Sequence, residues 1–143
     1  MSSRLSRAQT LISGNKVTEL YSDFLTSFAK TPVGDQLAKI TNERSINQSL
    51  KNIILTDIGE RLFQPSFGSN VRAMLFENSI EENLSTLKDY IASSINFNEP
   101  RVNIIEIELQ PSETDNELAI NILYNTINNP EPIIFTYIFK RVR

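Results

Sequence analysis

"SIEENLSTLKDYIASSINFNEPRVNIIEIEL", residues 79–109, changes its hydrophobic period at a proline. Before Pro100, the residues Ile80, Leu84, Leu87, Ile91 and Ile95 step by four, three, four and four, the spacing that lays one apolar stripe along a helix. Asn78-Ser79 opens that helix: Ser79 suits the N-cap, Glu82 the capping-box position, and Glu81 the positive end of the helix dipole. After Pro100 the period falls to two. Ile105, Ile107 and Leu109 alternate with Glu106 and Glu108, which predicts a strand with one buried and one wet face. Helix, proline link and strand in that order point to an α+β chain.

The pattern extends in both directions. Upstream, Ile46, Leu50, Ile53 and Ile54 share one helical stripe, so "ERSINQSLKNIILT" reads as a helix ending near Leu55, with Ser45 as N-cap and Gln48 reaching back to it. Downstream, Leu118, Ile120, Ile122 and Tyr124 alternate with Ala119, Asn121, Leu123 and Asn125, and "PSETDN" and "NNPEP" are turns. Ile133 to Val142 is a third strand, apolar on both faces until Lys140. The expected architecture is N-terminal helices packed on a three-stranded antiparallel meander at the C-terminus. A terminal strand of this kind either has both faces covered within the domain or offers an edge or a face to another chain.

Length and composition narrow the function classes. The chain has 143 residues and 40% hydrophobic content, enough for one core, and is read as an arm over residues 1–16 followed by a single domain over 17–143. The arm is polar and small. In residues 17–40, Pro32 and Gly34 predict a turn between two short segments. A net charge of −3 provides no basic field for nucleic acid, and no window nears the roughly 20 apolar residues that span a bilayer, so neither nucleic acid binding nor membrane insertion is expected. The N-terminus lacks the apolar core of a signal peptide. With neither cysteine nor histidine, disulfides, a thiolate nucleophile and the commonest metal ligand are excluded; no metal or cofactor is expected.

Paired carboxylates remain as a route to chemistry, and Glu60 and Glu77 flank a Phe-rich turn whose apolar wall could raise a carboxyl pKa, as a lysozyme-like glycoside hydrolase requires. Each also has an ordinary explanation: Glu60 adjoins Arg61, and Glu77 precedes a helix start. The turn itself, Gly59 to Glu77, reads as a compact corner between helices in which Phe63, Phe67 and Phe76 anchor the chain and Gly68 permits a backbone conformation or close approach closed to other residues. An exposed contact surface is the alternative for Phe67. In the link, Pro100 holds Glu99 and Arg101 on a short rigid segment, either a plain connector with an ion pair or a docking point whose arginine fork captures a carboxylate or carbonyls.

"LYSDF" (residues 20–24), "RSINQSLKNIILTDIGERLFQPSFGSNVRAMLFEN" (44–78) and "NEPRV" (98–102), in that order, resemble the baseplate wedge protein family of contractile phage tails, to which TssE of type VI secretion also belongs. The resemblance covers about residues 20–142. It implies a structural, non-enzymatic role in the virion tail baseplate, assembled in the host cytoplasm. It implies docking of Glu99, Pro100 and Arg101, the family's EPR segment, onto a helical core bundle of other wedge subunits. It further implies that the sheet templates the tail sheath protein, with Ile134, Thr136 and Ile138 on the augmenting strand.

Overall fold

A computed structural model of the chain describes residues 19–32, 34–75, 80–111 and 117–140. The arm at residues 1–16, the Ser79 N-cap, Phe76, Glu77, the turn after Pro111 and the last residues of the chain lie outside them. The chain divides into two compact units, one ending at Ser45 and one beginning at Ile46.

In the first unit, β1 (Ser22–Phe24) pairs antiparallel with β2 (Lys39–Thr41), a ribbon the periodicity did not announce. The turn expected near Pro32 and Gly34 closes it: Thr31 N donates to Gln36 O at 2.7 Å, Lys30 meets Asp35 at 2.6 Å, and Gly34 has a φ of 99°. Asn42, with a φ of 51°, ends the ribbon, its side-chain oxygen accepting from Leu20 N at 2.9 Å.

Helix α1 (Glu43–Leu55) begins two residues before the expected cap, so Ser45 lies buried in its first turn. In the second unit, the predicted stripe of Ile46, Leu50, Ile53 and Ile54 is fully buried, each residue contributing about 1.5–3 kcal/mol. A short α2 (Val71–Leu75) packs on α3 (Ile80–Asn98), whose Leu87, Ile91 and Ile95 are also buried.

Three antiparallel strands follow in the order β3 (Val102–Pro111), β4 (Glu117–Thr126), β5 (Asn129–Lys140), with β4 central. Helices followed by this meander form the α+β fold read from the period change. α3 packs against β3, and α1 reaches the sheet through Tyr124, whose hydroxyl donates to Asn47 Oδ1 at 2.7 Å, and through Lys51, 5.7 Å above the Tyr137 ring. One detail differs from the sequence reading. A bulge between Ile104 and Glu106 makes Ile105 the extra residue, 53% exposed, so Val102, Ile104, Ile107 and Leu109 turn inward instead of a plain Ile105-Ile107-Leu109 alternation.

Candidate functional site

The link is built at the end of α3. Glu99 N makes the last helical bond, to Ile95 O at 2.7 Å, and Pro100 cannot continue the ladder because it has no N–H. Val102 N then donates to Glu99 O at 3.2 Å, and Ile127 N donates to Arg101 O at 3.2 Å, which fastens the link to the β4–β5 turn. The Glu99 side chain is 4% exposed. Arg101 Nε and Nη2 donate to its two carboxylate oxygens at 2.5 Å each, and Ser49 of α1 hydrogen-bonds the same carboxylate. Burial opposes ionisation, but the hydrogen bonds from Arg101 and Ser49 and the guanidinium charge prevail, holding the Glu99 carboxyl below the usual glutamate range. Glu99 thus joins α1, α3 and β3. Of the two readings of the link, the structure contains the ion pair: the arginine fork directs these two donors inward to Glu99, and Pro100 and part of the Arg101 side chain are what the link exposes.

The corner between α1 and α3 does a definite structural task. The last carbonyls of a helix have no partner within it. Here Ile54 O accepts from Ser69 Oγ at 2.9 Å, Leu55 O from Arg72 Nη2 at 2.9 Å, and Thr56 O from Ser69 N at 2.8 Å. That approach requires Gly68, whose φ is 115° and where a Cβ would stand 2.4 Å from Thr56 O. Ser94 Oγ of α3 donates to Gly68 O. Phe67 is half-buried, with the Arg61 guanidinium 3.7 Å from its ring centre. Phe63 does not anchor the corner: it is 97% exposed and Leu62 93% exposed. Gln64 N bonds Arg61 O at 3.3 Å, so Leu62 and Phe63 occupy the two central positions of a turn, from which side chains project outward. Of the carboxylates weighed for hydrolysis, Glu60 is exposed and accepts from Asp57 N at 3.0 Å, while Glu77 lies outside the described residues.

β5 has one covered and one open face. Phe135 and Phe139 are buried on the core side, whereas Ile134 (68% exposed), Thr136 and Ile138 (50% exposed) face outward, Thr136 Oγ1 donating to Asn121 Oδ1 at 2.9 Å. Among the described residues β5 is also an edge strand. The direction of its backbone groups follows from the ladder. Ile127 N bonds Arg101 O, so odd-numbered groups of β4 face β3 and even-numbered ones face β5. Even β4 residues oppose Ile133, Phe135, Tyr137 and Phe139. The amides and carbonyls of Ile134, Thr136 and Ile138 therefore point off the sheet.

Sequence reasoning placed the link between helix and strand and left the edge of the last strand as one of two alternatives, and it missed Ser49 and Ser69. Both are isolated serines whose partners are distant in the chain, and no local pattern marks them.

A sequence model of the family described as "Baseplate wedge protein gp25" matches residues 41–131. Baseplate wedge protein gp25 of Enterobacteria phage T4 is 32% identical over 117 residues, covering 82% of this chain and 88% of that protein. Two solved structures share the fold. One, from Geobacter sulfurreducens and described as a candidate tail lysozyme, has a TM-score of 0.65 at 23% identity over 73% of this chain and 96% of that one. The other belongs to the anti-feeding prophage baseplate, with a TM-score of 0.60 at 19% identity over 84% of this chain and 85% of that one.

Proposed function

As the chain belongs to the baseplate wedge protein gp25 family, we propose that it is a structural subunit of a contractile-tail baseplate, docking on a helical bundle of other wedge subunits and templating the first tail sheath ring. Docking falls to the link: Pro100 and the outer part of Arg101 form a contact that the buried Glu99 carboxylate keeps in one conformation. Templating falls to β5. The observation that carries the proposal is its open edge, where Ile134, Thr136 and Ile138 present backbone donors and acceptors with no neighbouring strand among the described residues, a surface suited to strand addition. The role is architectural and not enzymatic: Glu60 is exposed, and its carboxylate accepts from Asp57 N within the corner.

The test is complementation. Particles assembled without this subunit should lack an ordered wedge and carry no sheath, and adding the wild-type protein should restore both. Normal sheathed particles in its absence would overturn the proposal. A peptidoglycan-release assay on the purified protein addresses hydrolysis directly, and release that disappears in Glu60→Gln would replace the architectural reading with an enzymatic one.

A further inference from the structure

We propose that Pro130 and Pro132 are a register stop on the β5 edge, confining an incoming sheath strand to the Ile134–Ile138 window. The inference rests on the templating role just given and specifies where that site begins and which strand it accepts. Thr126 pairs with Asn129 and Tyr124 with Ile133, so residues 130–132 bulge from the ladder without β4 partners. No donor is left in this bulge for an added strand. Pro130 and Pro132 have no N–H, and Glu131 N already donates to Asn129 Oδ1 at 3.1 Å. Because Ile133 directs its backbone groups towards β4, the first outward amide is that of Ile134. The bulge costs the domain no ladder bond, yet it closes the first third of the edge, a known means of limiting strand pairing.

The open window selects its occupant by chemistry. A strand laid against it has Ile134 and Ile138 as neighbours on the outer face and Phe135 and Tyr137 on the other, so it must carry β-branched or aromatic residues on both faces. Lys51, held over the Tyr137 ring, disfavours a basic residue at the position beside Tyr137. Five residues is an ordinary strand length, so the window suffices for one short strand.

Amide exchange on the full chain, compared between baseplates without and with sheath, tests this. Sheath assembly should slow exchange at least about tenfold at the outward amides of Ile134, Thr136 and Ile138 and leave Asn129–Ile133 unchanged. In Pro130→Ala/Pro132→Ala, protection should spread to the new amides at positions 130 and 132. Protection that covers Asn129–Ile133 in the wild type, or that fails to spread in the double variant, overturns the register stop and leaves templating intact. Sheathed particles with no protection anywhere on β5 overturn both. A concentration-dependent dimer of the free protein that protects the same amides would make a second copy the occupant and overturn the proposal.

Discussion

Glu99 and Arg101 face each other across Pro100 in a bidentate ion pair, two N–H donors meeting two carboxylate oxygens at 2.5 Å, with the acid buried and the base one-third exposed. The proline fixes the backbone between them, so the pair is held at the end of α3 with little freedom left to lose.

Arg101→Ala should therefore destabilise the protein as well as weaken wedge incorporation. The carboxylate left behind retains Ser49 but loses its counter-charge; a cost of about 2–3 kcal/mol is expected, below the range for fully buried pairs because Arg101 is partly solvated. Glu99→Gln/Arg101→Ala should recover part of it in urea unfolding. A docking role requires that this double variant, once stable, still incorporate poorly into wedges; normal incorporation would reduce the link to a connector.

The depressed Glu99 pKa makes stability depend on acid in a stated direction. Because the folded pKa is below the unfolded one, the contribution is complete above the ordinary glutamate value of about 4.3 and is lost as pH falls through the folded pKa. Urea midpoints measured from pH 6 downward should fall more steeply in the wild type than in Glu99→Gln. Parallel curves would mean that the carboxylate is not held ionised by its partners.

Gly68 and Gly59 both have positive φ, 115° and 89°, but of the two only at Gly68 would an added Cβ meet another stretch of backbone. Gly59→Ala should cost about 1–2 kcal/mol from backbone strain alone. Gly68→Ala adds a Cβ 2.4 Å from Thr56 O and should cost roughly 3 kcal/mol or more, by opening the cap on α1. Thermal unfolding of the two variants side by side checks the order, and equal losses would show that the corner yields freely.

Phe63→Ser should leave stability within about 0.5 kcal/mol of the wild type, since the ring is almost wholly solvated. Ile91→Ala, at a fully buried position of α3, should cost about 2–5 kcal/mol. A large loss from Phe63→Ser would mean that the ring is buried in the corner after all.

The chain's periodicities determined the type and order of α1, α3 and the three strands of the C-terminal sheet, but not the β1–β2 ribbon or the short α2. Four-three spacing placed Ile46, Leu50, Ile53 and Ile54 on one buried stripe and Leu87, Ile91 and Ile95 on another, and the change at Pro100 marked where helix gives way to strand. Such signals are legible because each depends on residues within a turn or two of one another. The tertiary structure decided the rest. It turned the Arg101 fork inward because Glu99 is buried against α1, projected Phe63 because it occupies a central position of the Arg61–Gln64 turn, and used the Ile105 bulge to keep the core face of β3 continuous. It also set which amides of β5 point off the sheet, because backbone direction follows from the register with β4 and no side-chain pattern encodes it.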